Sequence, residues 1–248
     1  MTLDIRPFWL IGALAATGFG LLVLLVKKTY PDHLARVLSL WGVANLCLGA
    51  GYAVRLGPSW EGQFVFHILS NTLVTACLSL EYGAMRKLRR QPSSTGWIAG
   101  PPFLVFAVCT WFTFVRRNIS IELLVFDFIN MAIMILIARC LWRKEDGRWL
   151  FADVVAASFY VLLGIATCAV IADFFRDGRF PPEYDFNIPR AVFNCIAAVL
   201  TEGIVFPLFL LMVSERLNRD LMVKALRDSL TGLYNRRAFE EIAFREIA

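Results

Sequence analysis

Apolar residues run along this chain in long blocks, separated by short polar stretches. The blocks fall at roughly 8–26, 37–55, 63–85, 97–115, 119–142, 150–173 and 189–213. Each is near the ~20 residues an α-helix needs to cross a bilayer. The connections are short, which predicts an antiparallel bundle with consecutive helices in contact. The longest, Arg176 to Pro189, contains Pro181, Pro182 and acidic residues and reads as an ordered external loop. The first block lacks a basic leader and a small-residue cleavage site, so it reads as a span rather than a signal peptide. Beyond Phe206 the pattern changes. Leu210, Val213, Leu217, Leu221 and Ala225 recur every three or four residues, between Glu215, Arg216, Arg219, Asp220 and Lys224. This spacing predicts an amphipathic helix leaving the bilayer, with a seam able to pair with a second copy. A surface helix lying against lipid headgroups is the alternative.

Composition fits the pattern. Of 248 residues, 58% are hydrophobic and only 18% charged, and mean hydropathy is +0.61. That excludes a disordered chain and argues against a soluble α/β enzyme. The net charge of +5 suggests orientation rather than nucleic-acid binding. Lys27, Lys28 and Arg36, then Arg86, Lys87, Arg89 and Arg90, then Arg143, Lys144 and Arg148, then Arg216, Arg219, Lys224 and Arg227 all fall on one side of the bundle. Fewer basic residues fall on the other: Arg6, Arg55, Arg116, Arg117, Arg176, Arg179 and Arg190. The richer side is expected in the cytoplasm, which puts the N-terminus outside and the C-terminus inside. Trp9, Trp60, Trp97, Trp142 and Trp149 fall near the predicted helix ends, as in an aromatic belt. Cys47, Cys77, Cys109, Cys140, Cys168 and Cys195 lie one per block with no CxxC pair, and read as packing residues.

Residues 228–241 read DSLTGLYNRRAFEE. This segment resembles the opening of a GGDEF domain, the catalytic domain of bacterial diguanylate cyclases. Asp228, Leu230, Thr231, Gly232, Leu233, Asn235, Arg236 and Arg237 match the fixed positions of the family's opening motif, with Phe239 at the usual aromatic place. The stretches TLDIRPFWLIG, SLWGVANLCLGAGY and LSNTLVTACLSLEYG more weakly resemble membrane sensor regions that precede such domains. The resemblance implies residence in a bacterial inner membrane. It also implies a full-length parent that joins two GTP molecules into cyclic di-GMP with Mg2+, through two facing domains. The likeness covers residues 228–248 only. No catalytic or metal-binding position of the family falls within it, so this chain by itself is expected to be inactive and to hold no cofactor.

Ionisable residues inside a membrane helix are costly and are functional candidates by default. His67 and Asn71 share a face of the third block, Glu122, Asp127 and Asn130 lie in the fifth, and Asn194 and Glu202 in the seventh. Together they are candidates for an outward-facing pocket for a small polar or cationic ligand. The competing reading is interhelical hydrogen bonding. Glu81 and Asp153 read as partners of Arg86, Arg139 or Arg148. Pro101 and Pro102 read as the start of the fourth helix. Pro207 sits within the last span, where a kink would pass motion to the output helix through Leu217 and Leu221. A retinal protein is excluded because no lysine lies between Pro189 and Val213, and the two histidines, His33 and His67, argue against haem.

The expected fold is an all-α membrane protein, a seven-transmembrane-helix bundle with a cytoplasmic C-terminal signalling helix. Residues 1–213 form the sensor, 214–227 the juxtamembrane helix, and 228–248 the start of a GGDEF domain. The expected function is reception of a periplasmic or lipid-borne signal that controls a diguanylate cyclase. The expected partners are the lipid bilayer, a second copy through the C-terminal helix and an unidentified small ligand. GTP belongs only to the full-length parent, and nucleic acid is not expected. A small-molecule transporter or a passive membrane anchor is the alternative function.

Overall fold

The computed structural model describes residues 6–56, 63–92, 95–145, 147–177, 189–226, 233 and 235, without the side chains of 63–66, 119, 173, 177 and 189–202. The described residues form helices and no named strand. They are α1 (Arg6–Val26), α2 (Asp32–Val54), α3 (Gln63–Leu88), α4 (Thr95–Thr110), α5 (Ile119–Leu141), α6 (Phe151–Asp177) and α7 (Pro189–Ala225). A 3-10 turn, Lys27–Thr29, follows α1, and a π-helical turn, Trp111–Val115, continues α4. The chain divides into two units, Met1–Leu208 and Phe209–Ala248.

Among the described residues, five stretches are long and apolar enough to cross a membrane: α1 with its 3-10 turn, α2, α4 with its π turn, α5 and α6. This is the composition of a helical membrane protein. Large apolar side chains point outward along α1 (Leu14, Leu25), α4 (Phe103, Phe114) and α6 (Leu162, Ile165). Such a surface would drive aggregation in water and is the ordinary outer face of a bundle in lipid.

α3 packs against three other helices. It lies against α2, α4 and α5. It buries Ser70, Asn71, Thr75, Ser79 and Glu81 beside Ile68, Cys77 and Met85. In a bilayer, polar side chains belong in the bundle interior, where they can bond to other helices. The polar residues of α3 serve the core in this way.

Small residues set the approach of α1 to α2. A Cβ on Gly20 would lie 2.8 Å from the Gly42 carbonyl oxygen. One on Gly49 would lie 3.0 Å from the Thr17 nitrogen and 3.1 Å from the Ala13 oxygen, and would also overlap the Thr17 hydroxyl. Trp9, Ala13, Ala16, Ala44, Leu48, Tyr52 and Cys77 form the adjoining apolar core. A second cluster, Ile68, Val105 and Cys109, joins α3 to α4, with Phe126 and Ile129 of α5 packed on it.

Several local features depart from the sequence reading. α4 begins at Thr95, so Pro101 and Pro102 lie inside the helix rather than at its first turn. Membrane helices tolerate this because neighbouring groups re-satisfy the freed carbonyls. Trp9 is buried, not part of an exposed belt, whereas Trp97, Trp142 and Trp149 are exposed. α3 ends with Arg90 at φ 53. The amide of Arg90 bonds the Lys87 oxygen and that of Gln91 the Arg86 oxygen, a left-handed C-terminal cap usually made by glycine.

α7 continues through Pro207 to Ala225. Within the second unit, Phe209, Met212, Val213 and Arg216 are buried along one face. This row is offset from the predicted seam. Of that seam Val213 is buried, Leu217 half-buried, and Leu221 and Ala225 exposed. Trp60, Cys195 and the loop with Pro181 and Pro182 lie outside the described residues, as do Asp228, Leu230, Thr231, Gly232, Arg236 and Arg237.

Candidate functional site

Two polar networks occupy the two ends of the described bundle. The first is built on the end of α3 that begins near Gln63. Asn118 caps α5 by accepting from the Ile121 amide at 3.1 Å. That places Glu122 in the first turn, where a carboxylate is favoured by the helix dipole. Glu122 is 1% exposed, and both its oxygens are engaged. Oε2 accepts from the Thr113 hydroxyl at 3.1 Å. Oε1 lies 3.0 Å from His67 Nδ1. Thr113 reaches Glu122 from the π-helical turn after α4. Such turns often accompany functional sites, because the wider turn re-aims a side chain.

The chain of bonds continues across α3. Asn71 Nδ2 lies 3.3 Å from His67 Nδ1, and Asn71 Oδ1 accepts from Arg55 Nη2 at 3.2 Å. Arg55 Nε donates to the Ser70 hydroxyl at 2.7 Å, which donates to the Gly51 carbonyl at 2.9 Å. The Arg55 guanidinium stands 4.6 Å over the Trp9 ring, a cation–π contact that shields it from lipid. The network thus joins α1, the C-terminal end of α2, α3, the π turn and α5. One residue holds a choice. His67 Nδ1 carries either a proton or a lone pair, so it bonds Asn71 or an ionised Glu122, but not both at once. Deeper on α3, the Thr75 hydroxyl faces a similar choice. It lies 3.0 Å from the Asn71 main-chain carbonyl oxygen and 3.0 Å from Asn130 Oδ1.

The structure therefore brings His67, Asn71, Glu122 and Asn130 together. His67 lies within bonding distance of Glu122 and Asn71, and Asn130 joins them through Thr75. Asp127 is half-buried on α5. The side chains of Asn194 and Glu202 lie outside the described residues. Arg55, Ser70, Thr75 and Thr113 were not legible as members. Arg55 reads from sequence as a loop charge, and Thr113 is hidden in the apolar run WFTFV.

The second network ties the other end of α3. Arg89 Nη2 pairs with Asp153 Oδ2 at 2.6 Å and Nη1 with Glu145 Oε2 at 3.5 Å. Arg89 also donates to the Leu141 carbonyl at 2.7 Å. Asp153 is 1% exposed. The partner of Asp153 is thus Arg89, not Arg86, Arg139 or Arg148. Glu81 accepts instead from the Tyr160 hydroxyl at 2.7 Å. A short phenol–carboxylate bond satisfies a buried acid without bringing a second full charge into the core.

In the second unit, Asn235 folds back on the end of α7. Its amide N–H donates to the Leu226 oxygen at 2.9 Å, and its side chain donates to the Ala225 oxygen at 2.7 Å. Both acceptors are terminal helix carbonyls that lack a partner within the helix. Leu233 is 70% exposed.

Compared with known family models, curated proteins and solved structures, the chain has no match.

Proposed function

We propose that this chain is the seven-span sensor module of a bacterial inner-membrane protein, with its N-terminus periplasmic and its C-terminus cytoplasmic. Its task is to control a diguanylate cyclase domain that begins at Asp228. The observation that carries this reading is Asn235 closing the end of α7 with two hydrogen bonds. An asparagine at the motif's fixed position thereby tethers the start of the next domain to a helix of Pro189–Ala225. At 1.5 Å per residue α7 is about 55 Å long, well beyond the ~30 Å hydrocarbon core. A helix of that length is suited to carry a signal past the membrane. The His67–Glu122–Asn71 network is the input element in this reading, because its bonds have two alternative arrangements. Two copies paired along exposed Leu221 and its neighbours would bring two GTP-loaded, Mg2+-dependent domains face to face.

A passive anchor is the second reading. The mutual bonding of His67, Asn71 and Glu122 favours it over a ligand pocket, since closed polar bonds serve helix association by themselves. The test is a full-length parent carrying the cyclase domain, reconstituted in vesicles with GTP and Mg2+. Glu122→Gln and Asn235→Ala should each change cyclic di-GMP output at least about fivefold, the size of a coupling near 1 kcal/mol. Output unchanged in both folded variants, with the native parent active, would leave the anchor reading standing. The 248-residue chain alone should make no product.

A further inference from the structure

A groove of about 320 Å³ runs between α5 and α6. Its walls are apolar, formed by Met131, Ile135, Val161, Gly164 and Ile165 among others, with Arg139 and Trp142 toward one end. From Trp142 back to Met131 the groove follows α5 for about 16 Å at 1.5 Å per residue. That is close to half the ~30 Å hydrocarbon core, the depth of a single leaflet.

Arg139 is the unexpected member. It is exposed, in the last turn of α5. No described residue accepts a hydrogen bond from its side chain or pairs with it. Arg89, at the same end of the bundle, has two carboxylates instead. A guanidinium beside hydrocarbon needs an anion or water, and a long side chain reaches it by snorkelling to the headgroup level. Adjacent features mark that level. Trp142 and Trp149 meet edge-on at 6.2 Å, and Lys144 lies 6.0 Å from the centre of the Trp149 ring. Aromatic pairs with basic neighbours are characteristic of the membrane–water interface.

We propose that the α5–α6 groove is a binding site for one anionic phospholipid. An acyl chain lies between Met131 and Ile165, and the phosphate pairs with Arg139. The charge of Arg139, with Arg143 and Lys144 following it, selects an anionic over a zwitterionic headgroup. The one-leaflet length selects a lipid over a helix of a second copy, which would run the full depth of the bilayer. This inference needs only a bilayer around the helices and does not depend on the cyclase reading.

The test is native mass spectrometry of the whole chain in detergent with dioleoylphosphatidylglycerol or dioleoylphosphatidylcholine. Helicity in the same detergent checks that each variant is folded. The native chain should retain phosphatidylglycerol preferentially. Arg139→Gln should lower that retention about fivefold, the effect of about 1 kcal/mol per basic residue, and Arg139→Lys should keep most of it. Lys28→Gln, which removes an exposed charge elsewhere, should leave it unchanged. A Cβ on Gly164 meets nothing within 4 Å, so Gly164→Phe should fold, fill the groove and lower retention of both lipids. Equal retention of the two lipids by the native chain would overturn the proposal. So would equal losses in Lys28→Gln and Arg139→Gln, or displacement by inorganic phosphate alone. A Gly164→Phe chain that changes only its monomer–dimer balance would identify the groove as a protein interface instead.

Discussion

Glu122 carries two bonds, one to Thr113 and one to His67. Removing it takes the carboxylate partner from the Thr113 hydroxyl in the interior, at about 1–3 kcal/mol for an unsatisfied group, whereas His67 Nδ1 can turn to Asn71. Glu122→Leu should therefore lower the unfolding free energy by about 2 kcal/mol in detergent, seen as a lower Tm. Glu122→Gln should lose less, because its amide oxygen still accepts from Thr113. Equal stability of Glu122→Leu and the native chain would show that the network does not tie these helices. Asn71 is fixed by Arg55 on one side, which leaves its amide nitrogen facing His67. The position of one proton on His67 therefore decides which neighbour it holds.

At the scale of elements, the tightest joint is α1 on α2. Gly49 faces backbone atoms of Ala13 and Thr17, and backbone cannot move aside as a side-chain tip can. Gly49→Val should cost about 1–3 kcal/mol through forced separation of the helices. Gly18→Val, whose Cβ would meet nothing within 4 Å, is the control. Thermal unfolding of the two variants side by side is the measurement, and equal midpoints would refute the joint. The far end of α7 presents the opposite situation. Leu221 is 52% exposed, an apolar position left open at the end of the predicted seam. Leu221→Glu should shift the chain toward monomer in sedimentation, since a charge in a helix seam opposes pairing.

At the scale of the molecule, Arg89 gathers α3, the α5 terminus, the following turn and α6 around one guanidinium. Breaking a buried pair leaves an uncompensated charge, so Asp153→Ala should destabilise by about 3–5 kcal/mol. Replacing both partners by apolar residues, Arg89→Met with Asp153→Leu, should recover much of that loss. Stability measured for the single and double variants forms the test cycle. A double variant as unstable as Asp153→Ala would mean that Glu145 and the Leu141 carbonyl, not the ion pair, dominate the tie. Because Asp153 is buried, added salt should change the pair little.

The sequence by itself determined the helices and their approximate bounds. Apolar blocks separated by short polar stretches leave the backbone no other way to satisfy its amides in lipid. The blocks at 63–85 and 119–142 correspond to α3 (Gln63–Leu88) and α5 (Ile119–Leu141). The sequence also marked His67, Asn71, Glu122 and Asn130 as unusual, because polar groups in apolar runs are conspicuous. It did not reveal Arg55 or Thr113 as their counterparts, nor Arg89 as the partner of Asp153. A hydrogen-bond partner on another helix is set by how the helices pack, and packing has no local signature. Nor could it show that Pro101 and Pro102 lie within α4, since the polar run before them gives no sharp start. Tertiary structure alone decided that α3 owes its polarity to a central place in the bundle. It also decided that Arg139 lies in an apolar groove with no described partner. Hydropathy records what each residue is, whereas the cost of a charge depends on what surrounds it.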